Sequence, residues 1–117
     1  HAAKFDLSKE ALTGQDATVA GMQAILAGDQ FMSVYKAIVP EANEAASLAI
    51  ALAKGQHPKA PTTVAGASGP GVPSFLLVPV AVTRSNIEST VVKDGFDAVA
   101  DICTGSYAAL CTQYGIK

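Results

Sequence analysis

The residues best suited to hold a ligand are Gln15 and Asp16, within the stretch TGQDATVAGMQAILAG of residues 13–28. A short apolar run precedes them and a helical pattern follows, so we expect both side chains at the carboxyl end of a strand, where α/β proteins bind ligands. A carboxylate accepts hydrogen bonds, and an amide both donates and accepts them. Asp16 is also a natural N-cap for the helix, which needs no ligand. From the spacing alone, both interpretations of Asp16 stay open.

The two cysteines, Cys103 and Cys111, lie in the stretch DICTGSYAALC. A zinc site would need further soft ligands, and neither His1 at the terminus nor His57 in a Gly-Gln-His-Pro-Lys loop is suited to complete one. A redox-active pair more often has C-x-x-C spacing. Because Gly105 lets the chain turn back between the sulfurs, we expect a local disulfide in an exported protein. Two buried reduced thiols are the alternative. We expect no metal ion and no cofactor.

Composition narrows the class of protein. The 117 residues allow one small domain at most, with 50% hydrophobic residues, 15% charged residues and a net charge of −2. The eight Lys and Arg residues are scattered, whereas a nucleic-acid surface needs them clustered. The longest apolar runs, 48–53 and 75–82, are shorter than the roughly 20 residues that span a bilayer. The start of the chain has no signal-peptide pattern, which fits a mature, tagged or truncated product. We therefore expect neither a nucleic-acid partner nor a membrane span.

The periodicity predicts an α/β chain with a thin sheet. Asp16 would begin a helix that Gly28 ends, and Pro40 would open a second helix that ends at Gly55. The composition of residues 56–73 favours a long loop. Strands are expected at 31–35 and 75–82, and further helical segments at 86–93, 96–102 and 107–114. So few strands bury little apolar surface. We expect missing chain, a second copy or a swapped element to complete the sheet.

Three longer stretches resemble a known family. They are TGQDATVAGMQAILAGDQFMSVYK, the alanine-rich helix that ends in ALAKGQ, and VPSFLLVPVAVTRSNIESTVVKDGF. Together they resemble the C-terminal third of the periplasmic sugar-binding proteins of ABC importers, of the xylose-binding type. The ending DGFDAVADICTGSYAALCTQYGIK is similar to that of actinobacterial members, including the cysteine pair. The resemblance runs from about Leu12 to the end of the chain.

The resemblance implies a fold and a set of site residues. The fold would be a partial doubly wound, Rossmann-like lobe of a type I periplasmic binding protein. In such receptors two lobes close on a sugar. Asp16 would accept hydrogen bonds from sugar hydroxyls, Lys36 would donate to sugar oxygens from the hinge side, and Gln15 would line or buttress the same cleft. Without the resemblance, Lys36 would be interpreted as a solvated lysine at a strand end.

The resemblance also implies an organisation and partners. Residues 1–117 would be a C-terminal fragment, with 12–36 in the second lobe, 37–72 a helix and loop packing toward the first lobe, and 73–117 the hinge-return strand and C-terminal helices. The ligand would be a sugar, xylose or a related aldose, and the full-length protein would meet an ABC transporter permease. The location would be extracytoplasmic, in the periplasm or as a cell-surface lipoprotein. A fragment of the site should bind sugar weakly or not at all by itself.

Two other classes of function remain at this point. An enzyme is disfavoured because the sequence has no G-x-S-x-G elbow and no histidine placed as a base. A structural or self-associating signalling module derived from the receptor fold is the alternative to sugar binding. Under either function, we expect a homodimer or a complementing N-terminal fragment to complete the molecule.

Overall fold

The computed structural model describes residue 6 and residues 9–66 and 69–117, with Pro70 described by its backbone only. The elements are β1 (Thr13–Gln15), α1 (Val19–Ala27), β2 (Met32–Tyr35), α2 (Ile38–Ala53), β3 (Thr62–Gly66), β4 (Gly69–Ser74), β5 (Val80–Val82), a π-helical segment (Glu88–Val92), α3 (Val99–Ile102) and α4 (Tyr107–Tyr114). The mixture of strands and helices confirms the expected α/β class. No helix in the described ranges is both long enough and apolar enough to cross a membrane.

The chain separates into two compact units. One contains the described residues up to Lys36 and those from Pro79 onward, and the other is Ala37–Val78. The chain thus leaves the first unit after β2 and returns to it just before β5. The assignment of residues 12–36, 37–72 and 73–117 to the lobes of a receptor stays a prediction.

The first unit is built on a sheet of three strands in the order β1-β2-β5. β2 is central, with β1 parallel to it and β5 antiparallel. The register pairs Gln15 with Val34, one residue before β2 ends. Because β1 and β2 are parallel and in this register, the residues that follow them emerge at the same edge of the sheet.

Helix α1 connects the two parallel strands. Its N-cap is Thr18, whose Oγ1 accepts a hydrogen bond from the Gly21 N–H at 3.2 Å. The expectation that Asp16 caps this helix is therefore wrong, because the chain makes an extra turn between β1 and the first helical residue. Gly28 ends the helix as expected, since its φ of 88° is one that glycine adopts without steric cost.

The core of the first unit lies between α1 and the C-terminal helices. Its largest fully buried hydrophobic side chains come from α1, β5, the π-helical segment, α3 and the connection before Glu88. The largest are Met22, Ile25, Leu26, Val82, Ile87, Val91 and Ile102. Such interdigitated aliphatic side chains supply most of the free energy that holds a small domain together.

The second unit has almost no core. Helix α2 has no buried residue over its full length. Ile38, Val39, Ile50 and Leu52 are each more than half exposed. Pro40 lies inside the first turn of the helix, where its missing N–H breaks no helical hydrogen bond.

The expected long loop at 56–73 contains a hairpin instead. β3 and β4 pair in antiparallel fashion, with a register irregularity between Val64 and Gly66. The Pro, Gly and Ser content predicted a loop, but Thr62, Thr63 and Val64 are β-branched and favour strand. The composition of this segment therefore did not indicate the short strand pair that the structure contains.

The expected strand at 75–82 is shorter than the apolar run that predicted it. Only Val80–Val82 pairs with β2, and the residues from Phe75 to Pro79 form no strand. Pro79 has no N–H to donate to a ladder, so strand pairing begins after it. The π-helical segment likewise replaces part of the helix expected at 86–93.

Candidate functional site

Asp16 and Lys36 meet at the carboxyl edge of the sheet. Asp16 directly follows β1, and Lys36 directly follows β2. The Lys36 Nζ lies 3.0 Å from Oδ1 of Asp16. The side chains are 52% and 61% exposed respectively, so both can reach a ligand without a change in the fold. The structure thus brings together the two residues that the resemblance singled out.

A tight turn after β1 directs the Asp16 side chain. Asp16 has a φ of 73° and Ala17 a φ of 44°, both in the left-handed region that non-glycine residues rarely adopt. The Asp16 N–H donates to the Val34 carbonyl at 2.8 Å, and the Ala17 N–H donates to the Ser33 Oγ at 3.0 Å. Backbone strain of this kind clusters at ligand-binding sites and persists where the surrounding structure enforces it.

Gln15 stands beside the pair. Its Nε2 donates to Oδ1 of Asp16 at 3.5 Å, the outer limit of a hydrogen bond. Among the described residues, no hydrogen bond or ion pair engages Oδ2 of Asp16. One carboxylate oxygen therefore contacts Gln15 and Lys36, and the other is available to an incoming donor.

The ion pair lowers the pKa of Asp16. The hydrogen bond from Lys36 is the largest cause, followed by the attraction of the ammonium charge, and Gln15 adds a smaller effect in the same direction. The carboxylate is therefore ionised throughout the neutral and mildly acidic range. A site with one negative and one positive group has no net charge, which suits a neutral polar ligand.

A metal site requires several ligating side chains in one place. Within the described ranges, no group of three or more His, Cys, Asp or Glu residues could hold an ion. His57 lies in the second unit, and His1 lies outside the described residues.

A disulfide between Cys103 and Cys111 joins the start of the α3–α4 connection to α4. The alternative of two reduced thiols is therefore wrong. The end of α3 and the connection after it are also docked on α1, because Gln23 Nε2 donates to the Ile102 carbonyl at 3.1 Å and to Thr104 Oγ1 at 3.2 Å. The disulfide thus supports the helix that begins next to the candidate site.

Sequence reasoning missed three residues around the site. Thr18 is the helix cap, Ser33 anchors the turn, and Tyr35 donates from its hydroxyl to Oδ2 of Asp94 at 3.1 Å. A hydroxyl residue directly before a helix is a known capping signal and would have identified Thr18. No local pattern marks Ser33 or Tyr35, because their partners are distant in sequence.

Complementary polar groups at the carboxyl ends of neighbouring strands are typical of ligand-binding α/β proteins. No protein-family profile matches this chain. The D-xylose-binding periplasmic protein of Escherichia coli (strain K12) is 48% identical over 94 residues, which are 80% of this chain and 28% of that protein. The multiple sugar-binding periplasmic receptor ChvE of Rhizobium radiobacter is 34% identical over 73% of this chain and 24% of its own length.

Solved structures agree with the sequence relatives. A carbohydrate transporter solute binding protein from Chloroflexus aurantiacus, in complex with D-glucose, superimposes with a TM-score of 0.71 and 33% identity over 78% of this chain. An ABC transporter solute binding protein from Clostridium phytofermentans, with bound β-D-glucose, gives a TM-score of 0.70 and 28% identity over 79% of this chain. This chain covers 26% and 29% of those two chains.

The chain is therefore similar in sequence and fold to one part of the periplasmic sugar-binding proteins of ABC transporters. Its specific relatives include D-xylose-binding periplasmic proteins, and the fold is a partial lobe of the type I periplasmic binding protein fold. The chain spans between 24% and 28% of the length of the curated relatives it matches. Those relatives are named as binding proteins and a receptor, in agreement with the expectation of a non-enzymatic protein.

Proposed function

We propose that this chain is part of the sugar-binding component of an ABC importer, and that Asp16, Lys36 and Gln15 contact the sugar. The observation that carries the proposal is the convergence of the Asp16 carboxylate and the Lys36 ammonium at 3.0 Å on one edge of the sheet. The names of the relatives point to D-xylose and other sugars, and the two solved structures hold glucose. Xylose or a related aldose is the proposed ligand.

The three side chains have complementary hydrogen-bonding capacity for a sugar. A carboxylate accepts from hydroxyl hydrogens, while an ammonium donates to ring or hydroxyl oxygens, and an amide does both. Hydrogen bonds to charged groups are stronger than those between neutral groups, which helps to offset the loss of sugar hydration. A sugar hydroxyl would bind at the open Oδ2 of Asp16, with Lys36 held beside it.

The remainder of the binding protein must supply the other walls of the site. The exposed apolar residues of α2 support the proposal that residues 37–72 pack toward the other lobe of a two-lobe receptor. A complementing N-terminal fragment or a second copy would serve the same purpose. The proposed location is extracytoplasmic, as for the periplasmic relatives, and the disulfide fits an oxidising compartment. The transporter permease is the proposed partner of the full-length protein.

The second candidate function is a structural or self-associating signalling module. The exposed apolar residues of α2 favour it as well, because a second copy could cover them. Sedimentation or light scattering distinguishes the two candidates, since a tight dimer with no sugar binding in any longer form supports the module.

A chimera gives the direct test. This chain replaces the matching region of the E. coli D-xylose-binding periplasmic protein, and calorimetry measures the dissociation constants for xylose and glucose. We expect the chimera to bind a sugar and the variants Asp16→Asn and Lys36→Met to lose at least about tenfold in affinity, the equivalent of one charged hydrogen bond.

The matched controls are Glu41→Gln and Lys54→Met, which remove the same two kinds of charge from the ends of α2. They should leave sugar affinity unchanged. A chimera that binds sugar equally well with and without the Asp16 carboxylate would overturn the assignment of the site.

A further inference from the structure

Ser33 is the one residue with a polar side chain that is fully buried among the described residues, at 1% exposure. It lies in the centre of the sheet on β2, and its Oγ accepts the Ala17 N–H at 3.0 Å. Buried polar groups persist when they are hydrogen-bonded, and this one is bonded to the backbone that follows the neighbouring strand. The placement links the interior of β2 to the turn that carries Asp16.

The turn needs such an anchor. Two successive non-glycine residues with positive φ form an unfavourable backbone, which relaxes unless other contacts hold it. Two consecutive residues of β2 supply these contacts: Val34 accepts the Asp16 N–H through its carbonyl, and Ser33 accepts the Ala17 N–H through its hydroxyl. Ala17 itself is 0% exposed, so its amide has no access to water as a substitute partner.

We propose that Ser33 is a positioning residue whose buried hydroxyl holds the left-handed turn and thereby directs the Asp16 carboxylate to Lys36. β2 carries the anchor at Ser33, and Lys36 directly follows the last residue of β2, so one strand sets the location of both charges. The consequence for sugar affinity rests on the proposed function. The positioning itself is a property of the ligand-free protein.

The variant Ser33→Ala removes the acceptor and leaves the Ala17 N–H buried without a partner. In the ligand-free chimera, we expect hydrogen exchange of the Ala17 amide to accelerate roughly tenfold. The carboxyl titration of Asp16, followed by NMR with labelled aspartate, should move to higher pH as its contact with Lys36 loosens. Ser33→Thr retains the hydroxyl and should restore both signals toward those of the unsubstituted protein.

Thr90→Val is the matched control. Thr90 Oγ1 donates to the Asn86 carbonyl at 2.5 Å in the same unit, so this variant also deletes an internal hydroxyl. It should change stability without moving the Asp16 titration. An effect of Thr90→Val equal to that of Ser33→Ala would show that general destabilisation is the cause, and would overturn the proposal.

Two results separate this inference from the proposed function. If Ser33→Ala leaves the Asp16 titration unchanged, or if the Ala17 amide exchanges freely in the unsubstituted chimera, the positioning is wrong whatever the sugar data show. If the titration moves and Asp16→Asn still binds sugar at full affinity, the positioning holds and the sugar site is wrong. Where both hold, Ser33→Ala lowers sugar affinity by roughly fivefold, less than the loss of one charged hydrogen bond.

Discussion

The Asp16–Lys36 pair is exposed, and Asp16 lies in a strained backbone turn. Exposed ion pairs add little to stability, because water solvates both charges well when they are apart. The strained turn beneath the pair has no evident benefit for folding. A strained turn that holds an ion pair of little value for stability is consistent with a binding site. Binding is stronger when the groups that contact the ligand are already in position before the ligand arrives.

The lowered pKa of Asp16 predicts how sugar binding responds to acid. A depressed carboxyl pKa means that the folded protein favours the charged form, so the pair is intact above the ordinary value of 3.8 and is lost as the pH falls through the lower folded value. We expect sugar affinity of the chimera to be level between about pH 7 and 5 and to fall only under stronger acid. Calorimetry across this range checks it. A loss centred above the ordinary carboxyl pKa would contradict the contribution of Lys36.

The environment of Asp97 is unfavourable for a charged carboxylate. Its Oδ2 is buried without a hydrogen-bond partner among the described residues, and burial, followed by the charge of Asp101, raises its pKa. A raised carboxyl pKa means that the folded state prefers the neutral form of Asp97. The contribution of this group to the free energy of unfolding is therefore favourable at low pH and is lost as the pH rises through its pKa in the folded protein.

The variant Asp97→Asn should therefore stabilise the protein at pH 7, by less than about 1 kcal/mol because solvent screens a partly exposed carboxylate. Urea unfolding at pH 7 and at pH 3 measures the difference, which should disappear at the lower pH. Asp101→Asn is the companion variant and should give a smaller gain. Destabilisation by Asp97→Asn at pH 7 would show that the carboxylate has a favourable contact.

At the scale of elements, α1 is held near its middle and at its C-terminal end. At its C-terminal end, the Arg84 guanidinium donates to the Ile25 carbonyl from Nε at 3.2 Å and from Nη2 at 3.1 Å, and it lies 4.7 Å from the centre of the Tyr114 ring. Near the middle, Gln23 binds the disulfide connection. The helix that follows the candidate site is thus fixed by the C-terminal segment of the chain.

Removal of the disulfide tests this support. The bridge spans a sequence separation of eight residues, and closing a loop of that size contributes about 2.5 kcal/mol in the chain-entropy account. The double variant Cys103→Ser and Cys111→Ser should lose about this much free energy of unfolding in urea. Dithiothreitol should destabilise the unsubstituted chain equally and leave the double variant unaffected. No response of the unsubstituted chain to reduction would refute the contribution.

At the scale of the whole molecule, the two units differ in how much core they have. The first unit buries aliphatic side chains between its sheet and helices, whereas α2 in the second unit buries none. A chain with 50% hydrophobic residues and a helix of this kind has apolar surface that another part of a larger protein is expected to cover.

The exposed apolar residues of α2 predict the behaviour of the isolated chain. We expect the chain to bind the hydrophobic dye ANS, because these apolar side chains are open to solvent. We also expect it to bind xylose too weakly for micromolar calorimetry, because a partial site does not surround a pentose. The double variant Ile50→Lys and Leu52→Lys should bind less dye. Asn43→Lys with Ser47→Lys adds equal charge to polar positions of the same helix and should bind as much dye as the unsubstituted chain. Incorporation into the chimera should remove the dye signal, and an unchanged signal there would contradict coverage of α2.

Local signals in the sequence were enough for several elements. The spacing of apolar residues located α1 and α4, Gly28 ended the first helix as expected, and Gly105 between the cysteines favoured the disulfide that the structure contains. The resemblance singled out Asp16 and Lys36, which the structure brings to 3.0 Å. Each of these depends on residues that are close in sequence or on a long matching stretch.

The sequence by itself determined the α/β class, the family resemblance and the chemistry of the three residues that are proposed to contact the sugar. Tertiary structure alone decided that residues 56–73 contain a strand pair and that Ser33 accepts a hydrogen bond from the turn after β1. The physical reason is distance along the chain. A hydrogen bond across 16 residues, or a strand pair hidden by Pro and Gly, depends on which segments pack side by side, and no local periodicity encodes that.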